Sequence, residues 1–356
     1  MPAGAALSCR MSNRFIFGSQ AHTMLSGIPD KTPFKLCRKF KWRRKIMCFA
    51  KNPPQGLSRR NFVAGAAAAA VAGSAGIAAL APAVAAQSGE KTEAPVQTMN
   101  TYGSDLLNMM VLRTYPIAIK MLKNESEIPK GAVRPKKDLG THYAACQAFG
   151  IVRRRGTALA MFIEDHWCFE PIIGYGLVEP PKDFLEGSGS AFFVRSKEGA
   201  RQRSMDIPLL PYGKYAGMVL APLHKANFSP DLTMIYCNAT QLRHMLFSYM
   251  LNNGRRVTST LDPIWSCVHS IVPSLLKNTC EVTVPDPGDF ERAGAADDEM
   301  VFTVPASQMK EFMDGVYHYE KMGMGYRSFG RELMGDFKQP PFYQDYFKKW
   351  GLDSSK

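Results

Sequence analysis

No two of the five cysteines that follow Ala85 stand close together in the chain. Cys146, Cys168, Cys237, Cys267 and Cys280 form no C-x-x-C pair, no C-x-x-C-H haem attachment and no zinc-ribbon spacing. That excludes the metal and redox motifs that are legible as local signatures, so a thiol site here must be assembled from distant segments. The same region has no Walker loop, no strand-borne G-x-G-x-x-G and no G-x-S-x-G elbow, which removes the common nucleotide-binding and hydrolase signatures. There is no internal repeat and no sustained heptad. Past residue 89 no stretch is long and apolar enough to span a bilayer.

Charge of one sign is also missing, but only locally. Residues 47–85 hold three basic residues and no acidic one, and the first 46 residues hold 10 basic and 1 acidic. The whole chain carries 44 Lys+Arg against 31 Asp+Glu, a net +13, yet after Ala85 the balance is 31 to 30. The basic excess therefore belongs to the leader, and no nucleic-acid partner is expected.

From Asn61 to Gly89 no residue is charged. The run is mostly Ala and Gly, which gain little from entering hydrocarbon, so it is a weak membrane anchor. Ser58-Arg59-Arg60-Asn61-Phe62-Val63 precedes it, and Ala83-Val84-Ala85 closes it ahead of the polar Gln87. Paired Arg59 and Arg60, the aromatic Phe62 and an A-x-A site at Ala83 and Ala85 read as a twin-arginine signal peptide. The expected consequences are passage through the twin-arginine translocase, cleavage that leaves no stable membrane anchor, and a soluble periplasmic protein. An uncleaved signal anchor is the alternative. The basic cluster Lys35 to Lys45 upstream reads as a targeting arm, or as a sign that translation starts at Met47. The organisation expected is an extension (1–46), a signal (47–86), a flexible linker (87–101), one main domain (102–320) and an aromatic extension packed on it (321–356).

Within the main domain, hydrophobic periodicity predicts a helix to about Arg113 and strands at Pro116–Leu122, Thr157–Ile163, Ala216–Leu223, Leu232–Cys237, Glu281–Val284 and Glu299–Val304. Phe192–Val194 and Arg256–Leu261 are weaker strand candidates. Tyr143–Val152 has helical spacing. Asn238 and Gln241 form a capping box that starts a helix ending at Gly254. Asp262-Pro263 reads as the opening of another helix, Pro285–Asp298 as a loop, and Ser307 as the cap of a helix through Tyr319. Helices alternating with strands place the chain in the α+β (mixed α/β) class, one large domain with a mixed sheet flanked by helices.

Four segments in this order, RTYPIAIKM, KYAGMVLAPLHKANFSPD, PDLTMIYCNATQLRHML and DDEMVFTVPASQMKEFMDG, resemble a bacterial and archaeal family catalogued as a domain of unknown function, DUF169, from about Leu106 to Val316. Such proteins commonly carry cysteines in the contexts that here read AACQAFGIVRRRG, EDHWCFEPIIGYG, WSCVHS and TCEVTV. The resemblance thus singles out Cys146, Cys168, Cys267 and Cys280. The chain departs from the pattern at Asp165-His166-Trp167 and Phe169, where the family often has Asn and Pro, and at Cys280, which stands alone.

The candidate chemistry follows from these residues. A cysteine-ligated metal or iron–sulfur cofactor would use Cys146, Cys168 and Cys280, with His166 or Cys267 completing the site, and serve redox chemistry or electron transfer, with a redox partner. His166 and Cys168 stand two apart and share a face if the backbone is extended. The mirror-image pair Cys267 and His269 separates if it lies on a helix. Two other readings of the cysteines stay open: buried small apolar residues, or a disulfide such as Cys267–Cys280. The alternative function is a cofactor-free periplasmic protein that binds a small ligand near Trp167, Tyr175 and Arg155, or an accessory protein. Glu164-Asp165 and Asp297-Asp298-Glu299 read as solvated turns rather than acid/base pairs. Arg153-Arg154-Arg155 reads as complementing a helix C-terminus rather than holding an anion. Whether the protein is an enzyme stays open at this level.

Overall fold

The computed structural model describes residues 95–252, 254–328 and 340–352. The export-signal residues Arg59, Arg60, Phe62, Ala83 and Ala85 lie outside the described residues, as does the extension before them.

Six strands form one sheet: β1 (Ile117–Leu122), β2 (Leu159–Phe162), β3 (Gly217–Pro222), β4 (Leu232–Asn238), β5 (Glu281–Thr283) and β6 (Glu299–Pro305). Their spatial order is β2-β3-β1-β4-β6-β5, and every named pairing is antiparallel. The α+β class holds, but the sheet is antiparallel rather than mixed. The physical reason is the placement of β1, which inserts between the successive strands β3 and β4 and pairs antiparallel with both.

Both faces of the sheet are covered. One face, carrying Ile117, Ile119, Met161, Leu220, Met234 and Val301, packs against α1 (Ala145–Arg155), α2 (Phe169–Gly174), α3 (Ser266–His269), α4 (Val272–Lys277) and their connections. The other, carrying Ala118, Val219, Ile235, Phe302 and Val304, packs against α5 (Val96–Met109), α6 (Ala239–Met250) and α7 (Ala306–Lys321). Double coverage explains why the strands read as continuous apolar runs: β3 is buried at all six positions.

The α6 start forms as its sequence predicts. Asn238 Oδ1 accepts from the Gln241 amide at 2.9 Å, and Gln241 Oε1 accepts from the Asn238 amide at 2.8 Å. The Gln241 side chain also donates to the carbonyls of Met110 and Val111, tying α6 to the end of α5.

Five expectations change. Residues 96–101, expected in the linker, are helical in α5, where Met99 is buried. Neither Phe192–Val194 nor 256–261 forms a strand. Asp262 does not open a helix at Pro263. Its carboxylate accepts from the Ile264 and Trp265 amides and pairs with Arg203, and α3 begins only at Ser266. Pro285–Asp298, expected as a loop, contains α8 (Pro287–Ala293), capped by Asp286 with Pro287 in its first turn.

That last helix positions the site. A Cβ at Gly150 of α1 would lie 2.9 Å from Ala293 backbone atoms, so glycine allows α1 and α8 to meet backbone to backbone. The helix α9 (Pro341–Lys349) carries Phe342, Tyr346 and Trp350 along one side, with none of its residues buried.

Candidate functional site

Three of the four cysteines singled out by sequence come together on the first face of the sheet. Cys146 stands in the first turn of α1, Cys168 is the N-cap of α2, and Cys267 lies in α3. Cys168 packs against Cys146, and the nearness of both raises the Cys267 thiol beyond the effect of burial, as the nearness of all three raises the Tyr175 hydroxyl. That hydroxyl donates to the Cys267 carbonyl at 2.8 Å. Cys280 stands elsewhere. It packs in the core on the opposite face of the sheet, beside Gln308. The four cysteines therefore do not share one place: Cys280 lies apart from the other three, and the sheet also separates it from Cys267, so they form no disulfide. All five described cysteines are free. Cys237, on the second face, is a buried residue whose thiol donates to the Met300 carbonyl.

α8 supplies the rest of the chamber. As its N-cap, Asp286 accepts through Oδ1 from the amides of Gly288 at 2.7 Å and Asp289 at 3.1 Å. Asp289, one turn along, accepts the Tyr236 hydroxyl at 2.9 Å. Ser266 Oγ lies 2.9 Å from Asp286 Oδ2 and 2.6 Å from Asp289 Oδ2. One hydroxyl has one proton and cannot donate to both. The second contact needs a proton on a carboxyl, so the pair holds one. Burial and the neighbouring Asp289 push the Asp286 carboxyl up to about 6, consistent with that count.

The thiols are neutral for the same reason. Burial pushes Cys146 up to about 12, with Asp289 and Asp286 adding to it and Arg292 opposing. Burial and Glu170 push Cys168 to about 12, and burial holds Cys267 well above its ordinary value. The Glu170 carboxyl is raised by burial, is hydrogen-bonded to Cys168, and leaves Oε2 buried without a partner. Arg292 is the cation of the chamber. It bonds to Cys146, and the half-exposed Trp167 ring covers its guanidinium at 5.0 Å. A Cβ at Gly288 would fall 3.1 Å from Cys146 Sγ and closer still to the tip of the Arg292 side chain, which would have to shift.

His166 and Cys168 both have extended backbone, as a shared face requires. The His166 ring is buried, which lowers it to about 4, and both its nitrogens lack a hydrogen-bond partner. Cys267 and His269 lie on α3, and His269 faces Asp262 at 3.6 Å instead. Among the described residues no three His, Cys, Asp or Glu side chains converge closely enough to hold a metal ion.

The charged runs prove to be structural. Asp165 is fully buried against Arg134 at 2.6 Å, and Arg134 also bonds to Glu164. Asp298 pairs with Arg113 at 2.6 Å. Glu299 is buried against Arg153, whose guanidinium stacks on the Tyr236 ring at 3.9 Å. The reading of these carboxylates as solvated turns is thus corrected for Asp165 and Glu299, which carry ladder and helix connections into the core. Of the three arginines in the last turn of α1, Arg153 is internal, Arg154 bonds to the Gly294 carbonyl and Arg155 is exposed. Trp167 and Arg155 stand at opposite ends of α1. Trp167 bonds to Gln147 at the start of α1, whereas Arg155 ends it, about 12 Å further along a helix rising 1.5 Å per residue.

Ser266, Asp286, Asp289, Tyr236, Glu170 and Arg292 were missed by sequence reasoning. The one local signal was Asp286-Pro287-Gly288-Asp289, a cap with Pro in the first turn and an acid at the third position.

Comparison with known proteins identifies relatives without assigning an activity. The family DUF169, described as "Uncharacterised ArCR", matches residues 105–315. An uncharacterized protein of Methanocaldococcus jannaschii, MJ0308, is 21% identical over 222 residues, which cover 61% of this chain and 93% of that protein. No solved structure matches the chain. The chain belongs to the DUF169 family.

Proposed function

We propose that this member of the DUF169 family is an exported protein whose chamber at Cys146, Cys168 and Cys267 takes a thiophilic cofactor, a soft metal ion or an iron–sulfur cluster, for redox or electron-transfer use. The observation that carries the reading is electrostatic. Four acidic side chains, Cys146, Cys168, Glu170 and Asp286, lie within reach of one guanidinium, Arg292, with Cys267 and Asp289 as further neighbours of Cys146. Burying acids costs stability unless each is paired, and a core needs none of them. The folded chain tolerates the crowding by keeping protons on the three thiols. A cation or cluster would replace those protons, with their release on binding.

The donor chemistry fits: thiolates suit zinc and iron–sulfur clusters, and Glu170 Oε2 and both His166 nitrogens are buried without partners. The described side chains do not form a closed cage, so no reaction step is derived through a cofactor. Export rests on Arg59, Arg60, Phe62 and the Ala83–Ala85 site. The twin-arginine route carries folded cargo, which suits a centre loaded before translocation.

The test is to purify the full-length chain without air and measure visible absorption, iron, zinc and acid-labile sulfide. Stoichiometric metal is expected, lost on alanine substitution at Cys146, Cys168 or Cys267 and retained in Cys280→Ala. A metal-free protein that takes up neither zinc nor iron would sink the reading and leave ligand binding or an accessory role. For export, Arg59→Lys with Arg60→Lys should hold the protein in the cytoplasm, and an unchanged distribution would refute the signal.

A further inference from the structure

On the other face of the sheet from the chamber, a groove of about 380 Å³ runs along the outer side of α6, within the range of small-molecule pockets, roughly 300–1,000 Å³. One wall is a single helical stripe. Leu242, Leu246 and Met250 recur at spacings of four, with Phe247 and Arg243 beside them. The opposite wall is the returning chain at Arg255, Arg256 and Val257. Gly254, with a φ of 64°, makes the turn between the walls, and its amide donates to the Met250 carbonyl at 2.8 Å.

Two properties of the groove point to one class of ligand. Its floor leaves large apolar side chains in water, Phe247 at 40% and Met250 at 38% exposure. Its rim carries three guanidiniums, and among the described residues no Asp or Glu lines it. Arg255 is hydrogen-bonded to Tyr249, so its guanidinium is held in place rather than roaming in solvent. From Ala239 to Met250 the stripe extends about 16 Å at 1.5 Å per residue.

We propose that this groove binds a single-chain amphiphile with an anionic head, a long-chain carboxylate. The acyl tail lies along Leu242, Leu246, Phe247 and Met250, and the carboxylate meets the arginine rim at Arg255 and Arg256. The guanidinium fork matches a carboxylate through two parallel hydrogen bonds, whereas a neutral head group offers no charge to pair. The groove shares no residue with the thiol–acid chamber, and its occupancy is independent of any cofactor there.

The experiment is isothermal titration calorimetry of the full-length chain with dodecanoate, with dodecan-1-ol and with phosphatidylglycerol vesicles. One dodecanoate per chain is expected, with the alcohol weaker by about tenfold or more, the worth of a charge-assisted hydrogen bond. Arg256→Gln should weaken dodecanoate binding by about tenfold through the same lost bond. Met250→Glu, which puts a carboxylate into the tail's path at an exposed position, should abolish binding while leaving the thermal transition in place. Equal affinity for acid and alcohol would overturn the assignment of an anionic head. Binding unaffected by Met250→Glu would overturn the location. Heat from vesicles without heat from monomeric dodecanoate would replace the proposal with a membrane-contact surface, and no heat from any ligand would end it.

Discussion

Replacing Asp286 by Asn should stabilise the protein at neutral pH, whereas the same change at Asp289 should destabilise it. The asymmetry follows from the hydrogen bonds. Asp286 Oδ1 accepts from two backbone amides, and its Oδ2 faces Ser266 Oγ. An asparagine can keep its oxygen toward those amides and donate from Nδ2 to Ser266 Oγ, which then gives its own proton to Asp289 Oδ2. No bond is lost, and the charge disappears. Raising a carboxyl from 3.8 to about 6 in the folded state corresponds to roughly 3 kcal/mol at 1.36 kcal/mol per pKa unit. The sign is set by proton binding. The folded state holds this proton to higher pH than the unfolded chain, so its contribution is intact below 3.8 and is lost as pH rises through about 6. Asp286→Asn should recover part of it, about 1–3 kcal/mol at pH 8 given the shared proton. Asp289, by contrast, accepts from the Tyr236 hydroxyl, from Ser266 and from the Asp286 amide. An amide nitrogen there faces either the Asp286 amide, which can only donate, or the Tyr236 hydroxyl, whose buried proton would lose its acceptor, at a cost of about 1–3 kcal/mol. Urea denaturation of both variants and the parent at several pH values between 4 and 8 decides the matter. A destabilised Asp286→Asn at pH 8, or equal effects at the two positions, would refute the shared-proton assignment.

Three further outcomes are expected. Glu299→Gln leaves the fully buried Arg153 without its counter-ion and should cost about 3–5 kcal/mol. The double change Arg153→Met with Glu299→Met should cost clearly less than the sum of the two single changes, measured by the same denaturation. Gly150→Val forces a side chain into the Ala293 backbone and should destabilise by about 1–3 kcal/mol, with Cys146 reacting faster toward a thiol reagent as α1 and α8 separate. His166, lowered to about 4 by burial, favours the fold above its ordinary value of 6.5, and that contribution falls away as pH drops toward 4. His166→Phe should flatten the loss of stability in that window, and an unchanged acid limb would show that the ring is protonated in the folded state.

The fold was more legible than the site, and the residues show why. Thr157–Ile163, Ala216–Leu223 and Leu232–Cys237 announced themselves because strands covered on both faces are apolar at every position. Asn238 and Gln241 were legible because a cap is a local bargain between neighbours. Sheet order was not, since the insertion of β1 between β3 and β4 depends on contacts about a hundred residues apart. The face that a cysteine occupies is equally non-local. Cys267 and Cys280 are separated by little sequence, yet the short α4 and the turn to β5 carry the chain across the sheet between them. Composition then misled where chemistry was densest. Pro285–Asp298 has the residues of a loop, but the same residues cap and open α8 when a hydroxyl and a tyrosine from elsewhere take up the carboxylates. Ser266, Tyr236 and Glu170 carry no signal of their own, because each acquires meaning only from a proton it shares. A buried site made of shared protons is written in distances, and sequence records only the groups that own them.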